Sequence, residues 1–172
     1  EDEKLKSVYR DIEMPLVDVL IDVEQNGVLI DPVVLKKQGK ELDQQLQRIE
    51  QSIYALAGEV FNLGSPKQIQ AILFEKLELP VRRKTSTGQA STAEDVLAEL
   101  AAEHEIASLI LEQRSLNKLM STYIDKLPLQ IDANTGRVHT SYQQAVASTG
   151  RLSSTSPNLQ NIPIRTTEGR RI

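Results

Sequence analysis

The sequence contains no cysteine and no tryptophan, and aromatic residues make up only 3% of its 172 positions. Without thiols, a disulfide framework, a cysteine-based zinc site and a cysteine nucleophile are excluded. Charged residues interrupt every apolar stretch well before the ~20 residues needed to cross a bilayer. The opening residues, EDEKLK, do not form the apolar core of a secretory signal. We therefore expect a soluble, cytoplasmic protein with no membrane partner.

Positive charge is scarce overall, and the net charge is −4. It is concentrated towards the C-terminal end, because residues 137–172 contain five arginines and a single acid, Glu168. An acidic body with a basic segment is compatible with one surface that meets phosphate.

Helical patterns dominate the first 130 residues. Apolar residues between positions 13 and 25 share one helix face, and Asn26-Gly27 predicts the end of that helix. Asp31-Pro32 predicts the start of a second, longer helix that closes at Gly58. Its apolar residues step by four and three from Leu42 onward, which is typical of a packed seam. They are Leu35, Leu42, Leu46, Ile49, Ile53 and Leu56.

Two capping-box patterns predict shorter helices, one at Ser65-Pro66-Lys67-Gln68 and one at Ser91-Thr92-Ala93-Glu94. The polar stretch 80–90 between these helices predicts an exposed loop. A last long helix is predicted over residues 106–127, with Pro128 ending it. The expected arrangement is two long helices packed against each other, with the small helices and the loop at one end.

The character of the chain changes after Gln130. The turn Asn134-Thr135-Gly136, flanked by short alternating segments, predicts a hairpin within residues 131–142. Residues 147–172 are rich in Ser, Thr, Asn, Gly and Pro and have too little apolar surface to order themselves by burial. Either they are disordered, or their fold depends on residues outside this chain.

Several stretches carry a family resemblance. TGRLSSTSPNLQNIP at 149–163, and GRVHTSYQQAVAS just before it, resemble the start of the palm in bacterial family A DNA polymerases. LNKLMSTYIDKLPL, FNLGSPKQIQAILFEKL and IEMPLVDVLIDVEQNGVLID resemble the same family in the same order. A co-linear set that covers residues 9–172 is far more specific than a single short motif.

The resemblance implies a mainly α fold with two parts. Residues 1–128 would form an elongated antiparallel helical thumb with small tip helices. Residues 129–172 would begin an incomplete palm, with a short β-hairpin and an extended segment. The implied partners are primer–template duplex DNA and the remainder of the palm and the fingers in the parent chain.

The implied parent is a bacterial, cytoplasmic DNA-directed DNA polymerase, a nucleotidyltransferase of DNA replication and repair that uses Mg²⁺. The family's metal-binding aspartates belong to motifs that these residues do not contain. A two-metal site needs clustered carboxylates, yet Glu168 is the only acid after Asp132. We therefore expect no catalytic residue, metal site or cofactor in this chain, and no polymerisation by the chain alone.

The palm motifs imply four contacts to the minor groove. Arg151 in TGRLSS matches an arginine that enters the groove at the primer terminus, where every Watson–Crick pair presents acceptors at nearly the same place. Asn158, Gln160 and Asn161 in PNLQNIP match residues that contact template and primer, and their amides both donate and accept. An arginine that satisfies loop carbonyls and amides that cap turns are the structural alternatives.

The thumb motif FNLGSPKQI resembles a turn that grips the DNA backbone, and it implies contacts from Asn62, Ser65 and Lys67. A helix N-terminus with free amides is a natural phosphate site. Gly64 and Pro66 stand where some relatives have a polar and a basic residue, and Pro66 removes one amide donor. A purely structural capping box is the alternative.

Arg114 and Lys118, one turn apart, match basic positions that reach the duplex backbone, although Met120 stands where relatives often carry lysine. A solvated helix face is the alternative. The loop residues Arg82, Arg83 and Lys84 could sweep along phosphates or simply keep the loop soluble.

Two histidines complete the set of candidate residues. We interpret His139 as a packing or hydrogen-bonding residue and His104 as a surface residue. A rival function is a helical-hairpin interaction module that docks a protein, or dimerises, through the 42–56 seam. That rival gives no role to residues 151–163.

Overall fold

Helices account for most of the chain in the computed structural model, which describes residues 2–172, so that Glu1 of the predicted thumb lies outside it. The α-helices are α1 (Asp2–Val8), α2 (Met14–Asn26), α3 (Pro32–Ala57), α4 (Pro66–Gln70), α5 (Glu94–Ala101) and α6 (Glu105–Leu119). Wider π-helical turns are Tyr9–Glu13, Ala71–Lys76 and Met120–Ile124, and 3-10 turns are Leu127–Gln130 and Gly169–Arg171. Two strands, β1 (Ser141–Gln143) and β2 (Ser153–Thr155), pair antiparallel. The predicted mainly α fold with a small antiparallel sheet is confirmed.

Local signals set the ends of the two helices that the sequence predicted best. Helix α2 ends at Gly27, whose φ of 62° lies in the left-handed region that favours glycine. Helix α3 begins after Asp31, whose Oδ1 accepts from the backbone N–H groups of Val33 (2.8 Å) and Val34 (3.1 Å). It closes at Gly58, with a φ of 72°. These boundaries agree with the sequence predictions.

The chain forms two compact units, Glu1–Gly39 with Ser121–Ile172, and Lys40–Met120. In the second unit, the α3 residues Leu42, Leu46, Ile49 and Ile53 are buried as predicted. Gln45 Nε2 donates to Glu112 Oε1, and Gln113 Nε2 donates to Glu50 Oε1, so hydrogen bonds also join α3 to α6. Because this seam lies inside the unit's own core, it is not free to dock a protein or to dimerise.

The prediction that Leu56 belongs to the buried seam is wrong. Leu56 is 43% exposed, and Ala57 takes its place in the core at 2%. A straight α-helix has 3.6 residues per turn, so a strict seven-residue pattern drifts around it over successive heptads. By the end of α3 the buried face has moved on by one residue.

The predicted capping box at Ser91-Thr92-Ala93-Glu94 is also wrong. Helix α5 starts at Glu94 with Ala93 as its N-cap, and no side chain caps it. The Ser91 hydroxyl instead accepts from the Ala93 N–H at 3.2 Å, which shapes the turn before the helix. At α4 the first half of the predicted box forms, because Ser65 Oγ accepts from the Gln68 N–H at 3.4 Å.

The predicted hairpin is displaced along the chain. Asp132 and Gly136 do form a turn, closed by the Gly136 N–H to the Asp132 carbonyl at 2.8 Å. Two residues after this turn, Val138 bridges to Val28. Strand pairing comes later, between β1 and β2, with Tyr142 opposite Ser154. Pairing to a partner remote in sequence leaves no local signal, and the hairpin was therefore misplaced.

The last predicted helix is shorter than expected. It runs as α6 to Leu119, widens to a π-helical turn and gives way to the 3-10 turn that contains Pro128. Within residues 2–172, none of the helices is both long and apolar enough to cross a membrane.

Candidate nucleic-acid interface

Arg151 lies on an exposed loop between the paired strands. It follows Gly150, whose φ is 72°, and precedes β2. Within the described residues its guanidinium makes no hydrogen bond or ion pair, so its donors, about five N–H groups, all remain available. The structural alternative, in which the arginine satisfies loop carbonyls, does not apply in this structure.

The amides beyond β2 close the loop on itself. Gln160 Oε1 accepts from the Ser154 N–H at 3.1 Å, and its Nε2 donates to the Leu152 carbonyl at 2.9 Å. Asn158 Oδ1 accepts from the Gln160 N–H at 3.0 Å. Asn161 is exposed and forms none of these bonds. Gln160 and Asn158 thus hold the shape of the loop beside Arg151, while the Asn161 amide stays free within the described chain.

Buried polar groups support this loop from beneath. Ser154 is fully buried, and its Oγ accepts from the Leu159 N–H at 3.0 Å. The Thr140 hydroxyl lies within donor distance of two carbonyls, those of Thr155 (3.0 Å) and Pro157 (2.7 Å). Residues 152–160 are therefore ordered by hydrogen bonds more than by apolar burial.

The C-terminal segment is ordered in the same way. The Thr166 hydroxyl accepts from the Gly169 N–H at 3.0 Å, and the buried Gln38 donates through Nε2 to the Glu168 carbonyl at 2.7 Å. Gly169 fits so tightly that a Cβ there would collide with the Pro163 carbonyl oxygen. These hydrogen bonds and the close backbone contact explain how this polar segment is ordered with little apolar burial.

Polar groups attach α2 and the turn before it to residues 139–144. The Glu24 carboxylate accepts from the Tyr142 N–H, and the Glu24 carbonyl accepts from His139 Nδ1 at 2.7 Å. Gln144 Nε2 donates to Glu13 Oε2 at 2.7 Å. The interpretation of His139 as a hydrogen-bonding residue agrees with this arrangement.

His104 differs from its interpretation as a surface residue. It is only half-buried overall, yet its Nε2 is buried and lacks a hydrogen-bond partner in the described part of the chain. Its backbone carbonyl accepts from the Ala107 N–H at the first turn of α6. His104 is thus the N-cap residue of α6.

The turn before α4 is built by Asn62, Ser65 and Gln68. Asn62 Oδ1 accepts from the Gly64 N–H at 2.8 Å, and Gln68 Oε1 accepts from the Asn62 N–H at 2.7 Å. Lys67 is exposed, with no hydrogen bond or ion pair inside the described chain. The Asn62 and Ser65 oxygens shape the turn, and the Lys67 ammonium is left for an outside partner.

Arg114 and Lys118 have different surroundings although they are one turn apart on α6. Arg114 is half-buried and donates through Nη1 to the Thr92 carbonyl at 2.6 Å. Burial lowers the pKa of its guanidinium, and the charge of Glu94 partly opposes that shift. Lys118 is exposed and makes no such contact within residues 2–172.

Two of the three basic residues in the loop before α5 are paired. Arg82 lies 3.0 Å from Glu103, and Arg83 lies 2.6 Å from Asp95. The Arg83 hydrogen bond holds the pKa of the Asp95 carboxyl below its usual value. Lys84 bridges to Ala90 through its backbone only. The loop is exposed as predicted, but its arginines already have acidic neighbours.

Sequence reasoning missed the residues that support the loop. Thr140, Ser154 and Gln38 carry no motif by themselves, and their partners lie elsewhere in the chain. Only their burial marks them, since a buried polar side chain needs a hydrogen-bond partner. That signal appears only once the fold is known.

Comparisons with known proteins agree with this geometry. The sequence model of DNA polymerase family A matches residues 33–172. The chain belongs to DNA polymerase family A. The chain is 60% identical to DNA polymerase I of Pseudomonas aeruginosa over 169 residues, which cover 98% of this chain and 18% of that protein. DNA polymerase I of Geobacillus stearothermophilus is 52% identical over 162 residues, covering 94% of this chain and 18% of that protein.

One solved structure is also similar to this chain. It is the polymerase domain of Pol1 from M. smegmatis in complex with DNA primer-template and dNTP, with a TM-score of 0.84 and 40% identity. The match covers 96% of this chain and 29% of that one. This chain therefore spans about a fifth of the length of the curated polymerases that it matches.

Family A polymerases are metal-dependent enzymes. Among residues 2–172, no group of three or more His, Cys, Asp or Glu side chains is placed to hold a metal ion. The residues present do not fit a two-metal phosphoryl-transfer site, which needs clustered carboxylates.

Proposed function

We propose that this chain is the DNA-gripping part of a DNA polymerase I, with residues 1–128 as the thumb and residues 129–172 as the first part of the palm. Relatives at 60% and 52% identity carry that name, and their similarity extends over nearly the whole chain. The parent would be a DNA-directed DNA polymerase of replication and repair in the bacterial cytoplasm. Its palm and fingers would be completed by residues outside this chain.

Primer–template duplex is the proposed partner. The similar Pol1 domain from M. smegmatis is described in complex with DNA primer-template and dNTP. Contacts to backbone and minor groove would be largely independent of sequence and sensitive to salt. Such contacts suit an enzyme that copies any template.

The observation that carries the proposal is the free guanidinium of Arg151 on a loop held by its own amides. A charged donor without an internal partner can bond to the acceptors that all base pairs present in the minor groove. Asn161 offers a second free amide on the same segment. Asn158 and Gln160 keep hydrogen-bonding capacity beyond the bonds that hold the loop.

Backbone contacts are proposed for the thumb residues. Lys67 and Lys118 have exposed, unpaired ammonium groups in the described chain. Arg114 would contact phosphate with the donors that Thr92 leaves unused. Asn62 and Ser65 would offer their remaining polar groups beside the start of α4.

Mg²⁺ is proposed for the parent enzyme, held by carboxylates outside this chain. The ion would supply charge stabilisation at the transferring phosphoryl group. Because the described residues lack a suitable donor cluster, the chain on its own is expected to bind DNA without extending a primer.

The test is fluorescence anisotropy with a labelled hairpin primer–template. We expect a dissociation constant of about 10⁻⁴–10⁻⁶ M, the range of non-specific binding, with affinity falling steeply between about 50 and 200 mM salt. Arg151→Ala should weaken binding roughly fivefold or more, since it removes charge-assisted hydrogen bonds.

Arg48→Ala is the matched control, because it removes the same charge from an exposed position on α3 outside the motifs. It should change affinity much less than Arg151→Ala. Equal losses in the two variants would reject Arg151 as a minor-groove contact. Binding that is indifferent to salt would reject the DNA-gripping function as a whole.

A further inference from the structure

The half-buried face of α2 is apolar in its middle and acidic at its two ends. Leu16, Val17 and Leu20 form the middle, with Glu13 immediately before the helix and Glu24 near its end. The two acids are about three helical turns apart, which places them on the same side. Helix α2 contacts β1, and both acids accept hydrogen bonds from β1 or from the residue that follows it.

The Glu24 carboxylate covers the free edge of β1. In an antiparallel pair of strands, the N–H groups of every second residue point away from the partner strand. Tyr142 and Ser154 are such a pair, because the Tyr142 N–H donates to Glu24 Oε1 and the Ser154 N–H donates to Gln160 Oε1. Each outward N–H at the centre of the sheet is thus satisfied by one side-chain oxygen.

The sheet depends on such support because it is very small. A two-stranded sheet is marginally stable at best in water, and within residues 2–172 β1 pairs with β2 alone. On the β2 side, the supporting Gln160 belongs to the same loop. On the β1 side, the acceptor is a helix residue that lies 118 positions earlier in the chain. Glu24 therefore ties the sheet directly to α2.

Arg151 takes its position from this sheet. It lies two residues before Ser153, which pairs with Gln143. The loop between the strands, residues 144–152, therefore leaves and re-enters the sheet at points that the pairing fixes. A shift of β1 relative to α2 would move the Arg151 guanidinium with it.

Electrostatics alone gives Glu24 the opposite effect on DNA binding. A carboxylate repels phosphate, and the net charge of the chain is already −4. Removing one acid should therefore strengthen binding to duplex DNA or leave it unchanged. A loss of affinity on removal of the Glu24 carboxylate would come from geometry and not from charge.

We propose that Glu24 is a positioning residue for Arg151. Its carboxylate fixes β1 against α2, and the β1–β2 pair transmits that position to the loop that presents the guanidinium to the minor groove. This inference rests on the proposed function, because it takes Arg151 to contact DNA.

Primer–template anisotropy on three variants of Glu24 tests the proposal. Glu24→Ala removes the acceptor and should weaken binding about threefold, because the loop loses part of its preorganisation. Glu24→Asp keeps the charge but is one methylene too short to reach the Tyr142 N–H, and it should weaken binding to a similar extent. Glu24→Gln keeps an acceptor oxygen and should restore the native affinity or slightly exceed it.

Asp22→Ala is the matched control. It removes the same charge from an exposed position on α2, and in the described part of the chain the Asp22 carboxylate has no hydrogen bond or ion pair. Its affinity should equal or exceed that of the native chain. Glu24→Ala that binds as tightly as Asp22→Ala would overturn the proposal.

Hydrogen exchange of the Tyr142 amide gives a reading that does not depend on DNA. Exchange should be faster in Glu24→Ala and Glu24→Asp and as slow as native in Glu24→Gln, because only glutamine keeps the acceptor in place. Alanine is the best helix former, so α2 should persist in Glu24→Ala, and far-UV circular dichroism checks that it does. Native exchange at Tyr142 in Glu24→Ala would reject the role of the carboxylate in holding β1.

The double variant Glu24→Ala with Arg151→Ala separates positioning from a general loss of structure. Once Arg151 is absent, Glu24→Ala should weaken binding no further, because its effect acts through that guanidinium. Additive losses in the double variant would contradict the proposal.

The two proposals fail in different ways. Native affinity in the single variant Arg151→Ala would remove the minor-groove contact and, with it, the role of Glu24. Weakened binding in Arg151→Ala together with native affinity in Glu24→Ala would remove only the positioning role and leave the DNA-gripping function standing.

Discussion

At Gly169 the backbone of the C-terminal segment passes close to the backbone of Pro163. A Cβ at this position would collide with the Pro163 carbonyl oxygen, and a backbone oxygen cannot rotate away as a flexible side chain can. Gly169→Ala should therefore destabilise the protein by about 2 kcal/mol or more, as overpacking does, and should free the segment 163–171. Chemical denaturation measures the first effect, and amide exchange of residues 166–171 measures the second.

Gly64→Ala is the control for that prediction. Its new methyl would lie 3.2 Å from the Asn62 Oδ1 atom, which belongs to a side chain that can adjust. It should cost far less than Gly169→Ala. Similar costs for the two variants would show that the close approach at Gly169 does not constrain the segment.

Arg151 and Arg114 show what sequence could and could not foresee about single residues. Both were predicted as DNA contacts from family motifs, and the residue type is the same in each case. The fold separates them, because Arg114 is half-buried and bonded to Thr92, whereas Arg151 keeps its donors free within the described chain. Burial and partners come from tertiary packing, which a local pattern does not contain.

Among the secondary-structure elements, α3 depends most visibly on its cap. Asp31 Oδ1 accepts from two backbone N–H groups that would otherwise lack partners. Asp31→Ala should lower the free energy of unfolding by about 1 kcal/mol, and Asp31→Asn should recover most of it because an amide oxygen also caps. Thermal or urea denaturation gives both values. A full loss in Asp31→Asn would attribute the effect to charge at the helix start instead of to the hydrogen bonds.

The elements that sequence predicted well are those whose signals are local. The ends of α2 and α3 follow from Gly27, Asp31 and Gly58, each of which acts on its own neighbours. The second capping box failed because Ser91 bonds one turn before the helix starts. The hairpin failed because Val138 pairs with Val28, a choice that depends on how the whole unit folds.

On the scale of the whole molecule, apolar burial is divided unequally. Of the 22 buried hydrophobic residues in the described chain, five belong to the unit of Glu1–Gly39 and Ser121–Ile172. The other 17 belong to Lys40–Met120. We predict that amides of the second unit will show slower hydrogen exchange and that the first unit will open at lower urea concentration.

Exchange followed by NMR or mass spectrometry across a urea series tests this prediction. Leu97→Ala, at a fully buried position in the second unit, should speed exchange there and cost about 2–5 kcal/mol. Leu129→Ala, at a position that is 83% exposed, serves as its control. A single transition shared by amides of both units would show that they unfold together despite the unequal cores.

The hydrogen bonds within the loop from Leu152 to Gln160 affect the thermodynamics of binding to duplex DNA. Its shape is set by internal bonds before any duplex arrives, so little conformational entropy is left to lose on association. Arg151 is presented by a rigid support, and most of the ordering on contact falls on its own side chain. The difference in binding heat between this chain and Arg151→Ala would thus report the docking of that guanidinium, with little contribution from a folding loop.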